Sequence, residues 1–291
     1  MVKKTISQKL FGIFNLLFLG FLCAAVLVPL LKTLSESLVN HTVYGIRMFD
    51  ELPDFIAYKA LALNCFKSEL WVSLATTFAT AFLGVFISSI AAYILIRRDM
   101  PGVKIFKWLL LITLIFDAGF IPRFLVIKKL GLLNSLWAII LPMSINAGNI
   151  FLLKTYFEQL PKTLFEAAEI DGCGPMKTFF MIALPLARGP LAVIGLFFAT
   201  AAWNEYFSYI LYISDTAKYN MQYAVRDIFT ARTDVSDVFV NLKTLQCAKI
   251  VACILPALVV CPLFLHFADL GTVRRAGKDG EIKDTNFAAL Q

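Results

Sequence analysis

Residues 166–185 read EAAEIDGCGPMKTFFMIALP, a charged and glycine-punctuated stretch between two strongly apolar segments. Just upstream, Pro161 stands where helices often begin, and good helix formers follow it. Gly172 stands where a helix end needs a left-handed residue, and Pro175 opens a second helical segment that reaches Pro185. At 1.5 Å per residue the first helix is only about 16 Å long, too short to cross a bilayer. The stretch therefore predicts a short helical hairpin that leads into a membrane span.

The composition of the whole chain is that of a membrane protein. Of its 291 residues, 59% are hydrophobic and 16% are charged, whereas soluble domains carry about 25% charged residues. A helix needs roughly 20 apolar residues to cross the hydrocarbon core of a bilayer. Six segments approach this requirement, at Leu10–Leu31, Leu70–Ile96, Lys107–Arg123, Leu130–Leu153, Gly189–Ser214 and Ile250–Ala268. The sequence predicts an all-α membrane protein with six transmembrane helices.

The first apolar run has two interpretations. It follows Lys3, Lys4 and Lys9, as the core of a signal peptide would. It is longer than the roughly 7 to 15 residues of such a core, and no convincing small-residue cleavage site follows it. We therefore expect a retained membrane anchor.

The distribution of basic residues predicts the orientation. A cytoplasmic N-terminus also places inside the short, charge-dense connection RRDMPGVKIFK at 97–107, in line with the positive-inside rule. Lys128 and Lys129 then fall outside, against the rule. We expect both termini in the cytoplasm and two polar external connections, at Lys32–Glu69 and Asp215–Lys249.

Several kinds of chemistry find no support in the sequence. The six cysteines form no C-x-x-C pair and the two histidines are far apart, so no metal site is expected. The net charge of +7 is explained by membrane topology rather than by nucleic-acid binding. The nearest candidate for a phosphate-binding loop, GTVRRAGKDG at 271–280, has the wrong spacing and lacks a hydroxyl after Lys278. The chain is therefore not expected to hydrolyse ATP itself.

The hairpin carries a recognisable signature. Glu166-Ala167-Ala168, Gly172 and then IALP at 182–185 resemble the EAA motif of permease subunits of bacterial ATP-binding-cassette importers. GFIPRFLVIKKLGLLNSLWAIILP, LPKTLFEAAEIDG and WNEYF resemble the maltose-type carbohydrate permeases. The similarity is greatest to the branch associated with complex, often acidic oligosaccharides such as alginate or rhamnogalacturonan fragments.

The resemblance implies a type I importer permease fold and a set of partners. This chain would pair with a second, homologous permease in the bacterial cytoplasmic (inner) membrane. An ATPase dimer would bind ATP and magnesium, so the chain itself would be no enzyme and need no cofactor. An extracytoplasmic solute-binding protein would deliver an oligosaccharide. The residues that the resemblance assigns to ATPase coupling are Glu166, Ala167, Ala168, Asp171, Gly172 and Pro185.

The same interpretation divides the chain into three parts. An N-terminal helix with its external loop occupies 1–68, and a cytoplasmic tail occupies 269–291. The core permease domain lies at 69–268 and contains the hairpin at 161–185.

Two spans carry polar groups of the kind that a sugar path needs. Asparagines follow a proline in span four, and irregular backbone at that depth is tolerated only against protein or a water-filled cavity. Span five contains an acidic residue, Glu205, among aromatic side chains, and intramembrane acids are usually functional. The candidate path residues are Asn146, Asn149, Trp203, Asn204, Glu205 and Tyr206. Alternatively, Glu205 pairs with a basic residue and the aromatic rings form an interfacial belt.

Rival interpretations remain open from the sequence. The hairpin could be an amphipathic connector on the membrane surface. An ion-gradient-driven secondary sugar transporter would also be apolar, but such proteins usually contain paired broken helices, and only span four is clearly interrupted here. No H-E-x-x-H or G-x-S-x-G motif supports an intramembrane enzyme. Asp117 and Arg123 in span three are interpreted as a structural pair.

Overall fold

The computed structural model describes residues 6–38, 55, 57–59, 66–97, 100–230 and 244–254. Helices dominate these residues, and no strand occurs among them. In chain order the main helices are α1 (Ile6–Ser37), α2 (Phe66–Ile96), α3 (Val103–Ile115), α4 (Phe120–Lys129), α5 (Trp137–Met143), α6 (Ala147–Glu158), α7 (Lys162–Ile170), α8 (Pro175–Leu186), α9 (Arg188–Asn204), α10 (Phe207–Tyr212), α11 (Met221–Thr230) and α12 (Thr244–Ile254). Most of span six, the tail and large parts of both external connections lie outside the described residues.

The chain divides into two compact units. The first contains Met1–Lys67 and Val225–Leu255, and the second contains Ser68–Ala224 and Pro256–Gln291. In the first unit, α1 exposes a long apolar surface, which suits a helix that faces lipid or another subunit. At its C-terminal end, one hydrogen bond joins the hydroxyls of Ser37 and Tyr58 (2.8 Å). The predicted site residues all belong to the second unit.

The predicted count of six spans is not confirmed as such. Among the described residues, α1 and α2 are long and apolar enough to cross a membrane as straight helices. Two bent pairs would each supply one more span: α5 with α6, bent by 42°, and α8 with α9, bent by 82°. The described part of the chain therefore holds two such spans, or up to four.

Span three differs from the prediction. Helix α3 ends at Ile115, and α4 begins only after an extended linker and Gly119, whose φ of 78° and ψ of 179° suit glycine alone. In the linker, Asp117 Oδ1 accepts hydrogen bonds from the Gly119 N–H (2.9 Å) and from Arg123 Nη2 (2.8 Å). The structural pair of Asp117 and Arg123 is confirmed. It caps a break that makes α3 only 13 residues long.

Span four begins later than predicted. Residues 130–136 form turns, in which Gly131 and Asn134 have left-handed backbones with φ of 69° and 59°. Asn134 also ties this segment to the end of α10, because its N–H donates to the Tyr212 carbonyl (2.7 Å) and its Oδ1 accepts from the Ser214 N–H (3.2 Å). The first regular helix therefore starts at Trp137 rather than at Leu130.

The core of the second unit forms two clusters. One surrounds the hairpin and the C-terminal end of α2, with Tyr93, Phe157 and Phe179 at its centre. The other joins Val72 near the start of α2 to Tyr209 in α10 and its neighbours. At 1.5 Å per residue, the 21 positions from Val72 to Tyr93 cover about 30 Å, which is the thickness of a hydrocarbon core. The clusters therefore stand at opposite ends of a membrane-length helix.

Gly84 allows α2 and α9 to approach closely. A Cβ added at Gly84 would lie 2.7 Å from ring atoms of Phe198, which is itself buried. Nothing lies within 4 Å of a Cβ added at Gly20 in α1. Both glycines thus lie within long helices, but only Gly84 is in close contact with a neighbouring side chain.

We predict that Gly84→Ala destabilises the protein by roughly 1 to 3 kcal/mol, because the new methyl group overpacks the contact with Phe198. The measurement is the temperature at which the purified protein loses monodispersity in detergent. Gly20→Ala is the control and should leave that temperature unchanged or raise it, since alanine favours helices. Equal behaviour of the two variants would contradict the close packing of α2 on α9.

Candidate functional site

The hairpin turn has the geometry that the sequence predicts. Gly172 adopts a left-handed backbone with φ of 74°. The Gly172 N–H donates to the Glu169 carbonyl (3.1 Å), and the Cys173 N–H donates to the Ala168 carbonyl (2.8 Å). These two bonds form a Schellman motif, which satisfies the last carbonyls of α7. Pro161 lies just before α7, as its capping residue rather than its first helical residue.

The second arm of the hairpin is α8. It begins at Pro175, as predicted, and widens into a π-helical segment at Phe179–Ala183. The helix continues through Pro185, which lacks an N–H, and ends at Leu186. At Ala187 the chain bends by 82° into α9. The second arm is therefore nearly perpendicular to α9, the first helix of span five.

Tyr93, at the end of α2, holds the two arms together. Its ring centroid lies 6.5 Å from that of Phe165 in α7 and 5.1 Å from that of Phe179 in α8. It also packs edge-on against Phe157 in α6, at 6.4 Å. The Tyr93 hydroxyl donates to the carbonyl of Pro175 (3.3 Å). One side chain thus contacts both arms of the hairpin and the helix that precedes it.

Arg97 adds a charged contact one turn beyond Tyr93. Its guanidinium carbon lies 5.5 Å from the centre of the Tyr93 ring, within the range of a cation–π interaction. Its Nη2 donates to Glu169 Oε1 in α7 at 3.1 Å. Neither residue was predicted from the sequence, because both lie far along the chain from the motif. An aromatic residue and a cation spaced i, i+4 at the end of an apolar span is the only local signal that could have indicated them.

The predicted coupling residues occupy different environments. Glu166, Ala167, Asp171 and Gly172 are exposed, Ala168 is buried and Pro185 is half-buried. Large apolar side chains share the exposed surface: Ile170 is 86% exposed and Met176 is 64% exposed. Exposed apolar side chains bordered by polar groups are typical of a surface that contacts another protein or a membrane. Neither Ile170 nor Met176 was predicted from the sequence.

The predicted path residues of span four lie at its break. The break separates α5 from α6 at residues 144–146, where the sequence analysis expected irregular backbone. Asn146 caps α6, because its Oδ1 accepts a hydrogen bond from the Asn149 N–H (3.0 Å). Both asparagines thus stand at the start of one helix, with Asn146 exposed and Asn149 half-buried.

Span five is also broken, which the sequence analysis did not predict. Glu205 has an extended backbone between α9 and α10, and its Oε1 accepts a hydrogen bond from the Ser208 N–H (2.7 Å). The Glu205 carbonyl accepts a hydrogen bond from Nδ2 of Asn220, a buried residue whose Oδ1 accepts from the Tyr223 N–H (2.9 Å). These contacts give Glu205 a structural role at the break.

The other candidates in span five differ in exposure. Trp203 is buried at the end of α9. Asn204 is exposed and donates to the Thr200 carbonyl (2.8 Å). Tyr206 is half-buried between α9 and α10. Of these three, Asn204 and Tyr206 are the ones accessible to a solute, and the substrate path stays a prediction.

Comparison with known proteins decides the family. Residues 101–270 match the family model described as binding-protein-dependent transport system inner membrane component. The chain belongs to this family. The permease is 35% identical over 281 residues to the polygalacturonan/rhamnogalacturonan transport system permease protein YtcP of Bacillus subtilis (strain 168), a match that covers 90% of this chain and 98% of that protein. It is also 35% identical over 277 residues to Protein LplC of the same strain, covering 91% and 94% of the two chains.

A solved structure supports the same assignment. It is the crystal structure of a bacterial ABC transporter involved in the import of the acidic polysaccharide alginate. The permease superposes on one chain of that transporter with a TM-score of 0.85 and 26% sequence identity. The match covers 91% of the permease and 99% of the transporter chain. The fold is thus the predicted all-α permease fold of an ABC importer.

These similarities confirm the predicted class of protein. The permease is an integral membrane subunit of an ABC importer, and is a transport subunit rather than an enzyme. The alternative of an ion-gradient-driven secondary transporter is excluded. Membership of the family implies an ATPase, a solute-binding protein and a second permease as partners.

We predict that Gly172→Ala loosens the hairpin turn, because a side chain in the left-handed region costs about 1 kcal/mol. Amide hydrogen exchange measured by mass spectrometry should speed up in peptides that contain Cys173. Gly174→Ala is the matched control, since Gly174 has a φ of −65° and nothing lies within 4 Å of its added Cβ. Unchanged exchange in Gly172→Ala, or equal acceleration in Gly174→Ala, would contradict the role of the turn.

Proposed function

We propose that the permease forms, with a second permease, the membrane path for an oligosaccharide and that its hairpin receives force from an ATPase. The observation that carries this proposal is the hairpin itself. Its turn is fixed by Gly172, its inner side is packed on Tyr93, and its outer side presents Glu166 beside the bare side chain of Ile170. This arrangement gives a docking helix a defined orientation and a free face.

The remaining partners follow from this role. The hairpin faces the cytoplasm, where an ATPase dimer binds ATP and magnesium. Both termini then lie in the cytoplasm of a bacterial cell, and the permease spans its cytoplasmic membrane. A solute-binding protein delivers the sugar on the opposite side, at the end of α2 that contacts Tyr209.

We further propose that the substrate is an oligosaccharide that contains acidic sugars. One relative is named for polygalacturonan and rhamnogalacturonan, and the matched structure is described by its import of alginate. A free carboxylate at Glu205 would repel such a substrate. The Glu205 carboxylate accepts a hydrogen bond from the Ser208 N–H at the start of α10, so its role at the break explains the acid there without a contact to the sugar.

The test of this proposal is ATPase recruitment. Glu166→Ala should remove a charge-assisted contact of about 1.5 to 3 kcal/mol. Ile170→Ser should remove a similar amount of apolar burial. Each variant should weaken association with the ATPase roughly tenfold or more. The measurement is the amount of co-expressed ATPase that co-purifies with the permease pair.

Path variants serve as the matched control. Asn204→Ala and Tyr206→Ala alter the break in span five, at the opposite end of the second unit. They should leave ATPase recruitment unchanged and reduce sugar uptake into reconstituted vesicles. Wild-type recruitment in both Glu166→Ala and Ile170→Ser would reduce the hairpin to a surface connector.

A further inference from the structure

We infer that Tyr93 and Arg97 form a clasp that couples the hairpin to α2, so that α2 carries the motion of the ATPase across the membrane. The clasp consists of these two residues and Glu169. This inference rests on the proposed docking of the hairpin to an ATPase. It adds positioning residues to that function, outside the hairpin itself.

The covalent route from the hairpin to the membrane is indirect. The hairpin continues into α9 through a π-helical segment and an 82° bend at Ala187. A displacement of α7 along this route must pass a turn, a widened helix and a sharp corner. Packed contacts offer a shorter connection, because packed cores transmit strain.

The clasp connects α2 to both arms at once. The Tyr93 ring lies against Phe165 of the first arm and Phe179 of the second, and its hydroxyl reaches the Pro175 carbonyl. Arg97 stands over the same ring and pairs with Glu169, which is 72 positions away in sequence. Any tilt of the hairpin must therefore either move the end of α2 or break these contacts.

The ion pair is suited to setting orientation rather than to stabilising the fold. The Glu169 side chain is 61% exposed, and exposed ion pairs contribute little to stability. Glu169 also lies on the same short helix as Glu166, three residues away. The carboxylate is thus held by Arg97 at the edge of the surface that we assign to the ATPase.

Helix α2 leads directly to the broken part of span five. It is a single helix from Phe66 to Ile96, and its residues Ser68–Ile96 are long and apolar enough to cross a membrane. Near its other end, Thr76 Oγ1 accepts a hydrogen bond from the Tyr209 hydroxyl (3.0 Å), and Ser73 Oγ accepts one from the Met221 N–H (2.8 Å). Met221 follows Asn220, which bonds to the carbonyl of Glu205. A shift of α2 along its axis would therefore act on the Glu205 break.

The test is a charge reversal across the clasp. Arg97→Glu and Glu169→Arg should each lower sugar uptake and sugar-stimulated ATP hydrolysis in reconstituted vesicles by about fivefold or more, the usual scale of coupling between sites. The Arg97→Glu variant should still co-purify with the ATPase and the second permease. The double variant Arg97→Glu/Glu169→Arg should recover most of the coupling, which a purely structural role would not require.

Control variants remove the remaining ambiguities. Lys154 and Glu158 form an ion pair within α6 (2.7 Å), and the reversal Lys154→Glu/Glu158→Lys should leave coupling unchanged. If Arg97→Glu fails to assemble, Arg97→Gln and Arg97→Lys replace it: the neutral variant should uncouple, and the charged one should retain most of the coupling.

The two proposals fail in different ways. Wild-type coupling in Arg97→Glu or Arg97→Gln, or no recovery in the double variant, would overturn the clasp even if Glu166→Ala loses the ATPase. Wild-type ATPase recruitment in both Glu166→Ala and Ile170→Ser would instead overturn the docking role of the hairpin, whatever the Arg97 variants do.

Discussion

The structure of the second unit around the hairpin depends on one interaction, the packing of both hairpin arms on the Tyr93 ring. Without it, α7 and α8 would form a short amphipathic connection with no fixed angle to the membrane helices. The ring joins α2, α6 and both arms, and Gly172 supplies the reversal that brings the two arms to the same side chain. A rigid angle is what a docking element needs, because a flexible one would absorb a push instead of transmitting it.

The opposite end of the second unit follows a different constraint. A helix that breaks within a membrane frees backbone groups that lipid cannot satisfy. At the break of span five, Asn220 donates to the Glu205 carbonyl and the Glu205 carboxylate accepts from the backbone of α10. At the break of span four, Asn146 caps the helix that follows. Polar side chains in both spans therefore support irregular backbone, and a sugar path would use the groups that remain accessible.

Local chemistry explains which features could be predicted from the sequence. The Gly172 turn, the helix start at Pro175 and the break near Asn146 are each specified by residues at the site itself. The long apolar helices α1 and α2 were also predictable, from the length of their uncharged runs. Long-range contacts were not predictable: Tyr93 and Arg97 acquire their roles only when α2 meets the hairpin. No proline or glycine marks the break at Glu205, which is held by a residue fifteen positions away.

The central claim is that the exposed face of the hairpin meets an ATPase in the cytoplasm. It is tested most directly by thiol labelling of Asp171→Cys in a variant without native cysteines, with Thr216→Cys as the comparison. Both positions are exposed in the structure. A membrane-impermeant reagent added to intact cells should label Thr216→Cys only. In inside-out vesicles it should label Asp171→Cys slowly, and faster after the ATPase is stripped away. Labelling of Asp171→Cys from outside the cell, or no protection by the ATPase, would contradict the account.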